Sequence, residues 1–257
     1  MDKTQNIPWK RLSVEAAAIV VSILMAFAID AWWNDRQERA EEREVLESLY
    51  TEFEANRDEV ASIISFHDRE IQTIETLLKL TQDEILELPT ETVEVMVSSF
   101  AMARTFDAVR GSIDALYSAG KLGILRDREL REALTTFVNI FDDAVEDANY
   151  LRQSSITVWK EIARNGGPWR TKFGDVTAEE CAVPLPQAIC YINDTLDFLP
   201  VATPQDLLRL RNNAVLMGYV YQNKVYLVFY SGELRDVQNG IESVLRLLEE
   251  NLKSNVN

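Results

Sequence analysis

The side chains best suited to chemistry are few: one histidine, His67, two cysteines, Cys181 and Cys190, and 42 carboxylates. A single histidine excludes the paired-histidine HExxH site and any His-rich metal cluster. The pattern Gly120-Lys121-Leu122 has no glycine five positions upstream and no hydroxyl after the lysine, so it is not a phosphate-binding loop. Neither a GxSxG elbow nor a GxGxxG turn occurs. Adjacent acids such as Asp142-Asp143 and Glu179-Glu180 fit solvated helix faces in a chain of net charge −16. That acidity also repels phosphate backbones, so the expectation is no nucleic-acid partner. No catalytic residue, no cofactor and no metal follows from these residues.

Three groupings admit both a chemical and a structural explanation. Cys181 and Cys190 enclose CAVPLPQAIC in a proline-rich stretch. The spacing is not CxxC, and no second pair of Cys or His is available to complete a zinc site. A disulfide is the favoured reading, worth on the order of 2–3 kcal/mol by loop closure; a free redox-active pair stays open. His67 and Asn56 lie on one apolar helical stripe. They are read either as a pH-sensing or ligand-contacting pair, or as buried, hydrogen-bonded residues that fix helix register, the second being favoured. Tyr219 and Tyr221, in GYVYQNKVYLVFY, would line a ligand cavity with His67 or simply pack in the core.

The elements that must carry these residues start with a hydrophobic stretch at residues 12–33, LSVEAAAIVVSILMAFAIDAWW, free of Gly and Pro. Twenty-two helical residues cover about 33 Å, enough for a hydrocarbon core of about 30 Å. Spanning requires Glu15 and Asp30 to lie near the two membrane surfaces, with Trp32 and Trp33 as an interfacial belt. Lys10 and Arg11 precede the stretch and acids dominate after it, which predicts a cytoplasmic tail at 1–11 and an extracytoplasmic domain at 34–257. So short a tail leaves no cytoplasmic output domain. The small-x-small triplet Ala26-Phe27-Ala28 also has the form of a signal-peptide cleavage site, and that alternative stays open. Ala18, Ser22, Ala26 and Asp30 recur every four residues as a small-polar stripe, either a close-packing face for another membrane helix or the chance result of alanine richness.

Beyond Trp33 the reading is all-α. Leu46, Leu49, Phe53, Asn56, Val60, Ile63, His67, Ile71, Ile74 and Leu78 alternate spacings of three and four, predicting a helix unbroken from the hydrophobic stretch to about Thr81. A second helix is expected after Thr90, breaking near Thr105-Phe106. A short one follows from Gly111 to Gly120, and a long one from the N-cap Asp127 to about Arg164. Its expected buried stripe is Leu130, Leu134, Phe137, Ile140, Phe141, Val145, Ala148, Leu151, Ile156 and Trp159. Residues 166–203 read as an irregular insertion. Thr203-Pro204 then opens one last long helix with a stripe through Leu207, Leu210, Ala214, Met217, Tyr221, Val228, Leu234, Ile241, Leu245, Leu248 and Leu252. The whole is expected to be a long-helix antiparallel bundle with a disulfide-closed loop excursion.

Two segments, AFAIDAWWNDRQERAEEREVLESL and SAGKLGILRDRELREAL, resemble a group of uncharacterised bacterial single-pass membrane proteins. The resemblance covers about half the chain and implies a bacterial inner-membrane anchor bearing a helical extracytoplasmic domain; it brings no activity with it. The functional expectation is a membrane-anchored periplasmic scaffold or interaction protein, a homo-oligomer or the partner of another membrane protein. The alternative is a ligand-sensing ectodomain signalling laterally to a membrane partner, and an enzyme is the least favoured reading.

Overall fold

The structure, a computed structural model, describes residues 9–167 and 199–254, and among these every regular element is helical. Helix α1 runs Trp9–Lys79, followed by α2 (Gln82–Leu86), α3 (Thr90–Ser99), α4 (Gly111–Ser118), α5 (Arg128–Arg164), α6 (Pro204–Arg211) and α7 (Ala214–Ser254). Helix α1 alone has 71 residues, about 105 Å of unbroken helix.

Local chemistry sets the boundaries. Helix α1 stops where Thr81 and Glu84 form a reciprocal cap: the Glu84 amide donates to Thr81 Oγ1 (3.3 Å) and the Thr81 amide to Glu84 Oε2 (2.7 Å). This starts the short α2, which lies between the expected end near Thr81 and the helix expected after Thr90. Gly120 ends α4 in the left-handed conformation (φ 64°), with the Lys121 amide donating back to Leu116 O. Asp127 Oδ1 accepts from the Glu129 and Leu130 amides and opens α5, as expected. Thr203 caps α6 reciprocally with Asp206.

The last helix is not continuous from Pro204. It divides at Asn212-Asn213, where Asn213 Oδ1 accepts from the amides of Val215 and Leu216 at 3.0 Å each. A short amide side chain that caps a new helix competes with continuation of the old one.

Three long helices make the bundle. Lys224 pairs with Glu75 and Arg235 with Asp68, so α7 runs antiparallel to α1. Asn251 meets Asp127 and Asn213 meets Asn165, so α7 is antiparallel to α5 as well. Phe53 of α1 lies 4.8 Å from Phe137 of α5, ring to ring. The core has two parts. At the end where α1 leaves the bundle it contains Leu46, Leu49, Phe53, Leu130, Leu134, Phe137, Ile241 and Val244; at the distal end α2, α3 and α6 close over Ile74, Leu77, Val158, Ile162, Leu216 and Val220.

The main buried seam follows a three-four alternation. On α5 it is Leu130, Leu134, Phe137, Phe141, Ala144, Ala148, Leu151, Ser155, Val158 and Ile162, with Ser154 buried beside it; on α7 it is Leu216, Val220, Asn223, Leu227, Tyr230, Leu234, Val237, Ile241, Val244 and Leu248, with Ser231, Leu245 and Leu247 buried beside it. A seven-residue repeat held this long keeps one seam inward only if the helices coil left-handedly. It also corrects the predicted stripes. Leu78 is exposed and Leu77 buried, Val145 and Ile156 are exposed, and Tyr221 and Val228 lie on the outside of α7. Each misplaced residue sits one or two positions off the heptad.

The proposed Cys181–Cys190 disulfide, the tail at 1–8 and most of the 166–203 insertion lie outside the described residues.

Candidate functional site

The residues singled out for function go to three different places. Ala18, Ser22, Ala26 and Asp30 lie on the part of α1 outside the bundle, where Ile19, Phe27, Trp32 and Trp33 are exposed as well. The Ser22 hydroxyl donates to Ala18 O within its own helix (2.8 Å). Tyr219 and Tyr221 face solvent on α7. His67 and Asn56 are fully buried in the bundle. The three groups do not converge, and the tyrosine that meets His67 is Tyr230, with ring centroids 5.7 Å apart.

The partner of the buried polar residues is the chain's own backbone. Residues 100–110 connect α3 to α4 without regular structure, yet Phe100, Ala101, Met102 and Phe106 are buried there. A buried irregular segment carries amides and carbonyls that lack helical partners, and each must find one. All three long helices supply them. From α1, His67 Nε2 meets Arg104 O at 2.9 Å, while Asn56 takes the Val109 amide on Oδ1 (2.7 Å) and donates from Nδ2 to the Val109 carbonyl (2.9 Å). From α5, Ser155 donates to Ala101 O, and at the surface Arg152 donates to the Thr105 side chain (2.7 Å). From α7, Tyr230 Oη accepts from the Phe106 amide (2.9 Å) and Asn223 Nδ2 donates to Phe100 O (3.3 Å).

The spacing explains why this works. From His67 to Asn56 is eleven helical residues, about 16 Å along α1. The five residues from Arg104 to Val109 span about the same distance when extended. An extended strap and a helix therefore stay in step, so two polar residues on one helical stripe can hold two points on the strap. Because Arg104 O can only accept, His67 carries its proton on Nε2, and Nδ1 accepts from Ser231 Oγ (3.2 Å). Burial holds the His67 imidazole down at about 4, with the nearby Arg104 guanidinium acting the same way. His67 is thus neutral at ordinary pH. Its two nitrogens and both polar atoms of Asn56 are occupied by the protein itself.

A second feature lies where α1 leaves the bundle. The turn between α4 and α5 docks on the charged stretch just past Trp33. Arg126 reaches Asp35 (2.6 Å), Glu38 (3.5 Å) and Glu42 (3.6 Å), its amide donates to Glu42 Oε1 (2.6 Å), and Lys121 pairs with Glu41 (3.0 Å). The hydrogen bond from Arg126, then that from Arg39, holds the Asp35 carboxyl below its usual range. Glu42 is itself buried, so this collar joins one desolvated carboxylate to a rim of exposed ion pairs. The two segments of the sequence resemblance are the two halves of this contact. The groove beside it, lined by Glu38, Glu41, Gly120, Lys121, Gly123 and Arg126, is shallow and open.

Among the described residues no group of three or more His, Cys, Asp or Glu could hold a metal ion. Sequence reasoning missed Tyr230, Asn223, Ser155 and the Glu42–Arg126 contact. The first three are polar residues at three-four spacing within apolar helices, a pattern that becomes a signal once the phase of the buried seam is known. Glu42–Arg126 had none, because its two halves are 84 residues apart. Compared with known protein families, curated proteins and solved structures, the chain matches none.

Proposed function

We propose that this chain is a membrane-anchored helical scaffold of the bacterial inner membrane, with a single span, a cytoplasmic N-terminus and a periplasmic bundle, acting through partners and without catalysis of its own. One observation carries the reading: a single unbroken helix is apolar and uncovered from Ala17 to Trp33 and, from Leu46 to Leu77, supplies the buried seam of the bundle. Exposed side chains such as Ile19, Leu24 and Phe27 suit a hydrocarbon surround, which a water-facing helix of a globular domain would not have. The collar of Asp35, Glu38 and Glu42 around Arg126 fastens the bundle to the helix within three turns of the Trp pair, so the bundle stands at a fixed height above the bilayer. A disulfide between Cys181 and Cys190 fits the oxidising compartment this topology gives. The ligand-sensing alternative has less to support it, since His67 and Asn56 are hydrogen-bonded to the strap at 100–110 and, through His67 Nδ1, to Ser231.

Topology is the test. Alkaline phosphatase fused after Asn257 is expected to be active in intact cells, with a cytoplasm-dependent fluorescent reporter at the same place dark. The opposite pattern would overturn both the periplasmic bundle and the disulfide.

A further inference from the structure

The outer side of α7 carries a second heptad seam, and we infer that it is where a second copy of this chain packs, α7 against α7 in parallel. The seam runs Ala214, Gly218, Tyr221, Val225, Val228 and Gly232, with spacings of four and three repeated throughout. Each of these residues stands two positions before a buried one, about 200° around the helix, so this seam faces away from the bundle. Tyr221 is 63% exposed, Val228 48%, and the flanking Val215 and Phe229 61% and 65%. A methyl group added at Gly218 or Gly232 would touch nothing among the described residues. Soluble helices normally place charge on such a face, and α7 does so farther along: the same seam continues as Arg235, Asn239, Glu242 and Arg246, where the two arginines reach sideways to Asp68 of α1 and Glu129 of α5. The apolar run therefore stops abruptly after about 27 Å, half the length of the helix.

A three-four repeat of small and apolar residues is the pattern that fits another α-helix, with glycines at both ends allowing close approach. The occupant follows from size and orientation. Tyr219, Tyr221, Val228, Phe229 and Val215 together leave on the order of 500 Å² of apolar surface per copy. Two copies would hide about 1,000 Å², the lower bound for a specific interface. Two chains anchored in one membrane hold α7 parallel, so a two-fold axis along the bundle sets apolar half against apolar half and charged half against charged half. The parallel orientation rests on the scaffold reading above; the seam itself does not.

The photocrosslinker p-benzoylphenylalanine placed at Tyr221, Val228 or Phe229 of the full chain in its membrane is expected to give a covalent species of twice the mass. The same group at Glu146, on the outside of α5, is expected to give none. In detergent, Phe229→Glu should convert a dimer to a monomer by sedimentation with its helical circular dichroism unchanged. A dimer that persists in Phe229→Glu and crosslinks at none of the three positions would place the interface elsewhere and overturn the inference. So would a chain that is monomeric throughout, or crosslinks only to a different protein or within one chain. A cytoplasmic C-terminus would instead overturn the scaffold topology and leave a crosslinked parallel dimer standing.

Discussion

Tyr230→Ala is expected to lower unfolding stability by on the order of 4 kcal/mol, the loss typical of a large buried aromatic side chain. Two losses combine. The ring is 1% exposed and packs 5.7 Å from His67, so its removal leaves a cavity at the centre of the α7 seam. The hydroxyl is the acceptor for the buried Phe106 amide, and an orphaned donor costs about 1–3 kcal/mol. Tyr230→Phe separates the two, since it keeps the ring and orphans the amide; it should cost about 1–2 kcal/mol. Urea titrations of the three proteins followed by circular dichroism measure both. Equal stability for Tyr230→Phe and the parent chain would mean that the strap at 100–110 does not depend on this hydrogen bond.

The second large effect is a dependence on pH. His67 titrates near 6.5 when unfolded and at about 4 in the folded chain, held there first by burial and then by the Arg104 charge. Between those values the unfolded state binds the proton and the folded state does not, so stability falls as pH falls from about 6.5 towards 4 and is fully present above that window. The size of the effect is roughly 3 kcal/mol. Half-buried carboxyls oppose it in part. Burial raises Glu70 and Glu59 above their usual range, and a raised carboxyl costs less as pH drops. The clean readout is therefore a difference: the parent chain should lose more stability between pH 7 and 4.5 than His67→Gln, whose amide carries no titrating proton. Parallel curves for the two proteins would remove His67 as the source. The charged groups nearest the ring are Asp68, Arg104 and Arg235.

Much of the fold was legible because it depends on local chemistry. The absence of any breaker between Leu12 and Lys79 gave α1 as one helix, and Gly120, Asp127 and Thr203-Pro204 marked ends that the backbone then uses. The phase of the buried seams was harder. On α7 two apolar heptads lie on opposite faces, and periodicity alone cannot tell which one meets the bundle; Tyr221 and Val228 read as core while Val220 and Leu227 occupy it. On α5, Val145 and Ile156 look like better core residues than Ala144 and Ser155. The heptad and the strap at 100–110 decide otherwise, because Ser155 is needed for Ala101 O. His67 and Asn56 were recognisable as polar residues in an apolar stripe. Their partners were not, since a loop whose backbone becomes buried has no sequence pattern. The collar was split between two distant segments, each conspicuous by itself, and only folding brings Glu42 to Arg126.

The scaffold reading depends above all on α1 being one rigid element from bilayer to bundle. Spin labels introduced as non-natural amino acids at Ile29 and Ala55, with the full chain in lipid nanodiscs, measure this by dipolar spectroscopy. Twenty-six residues of unbroken helix place the two backbone sites about 39 Å apart. A single narrow distribution near that distance is the expected result. A broad distribution, or one centred well below it, would mean that the helix bends or breaks between Trp33 and Leu46, and the bundle would then be tethered to the membrane without being held at a height above it.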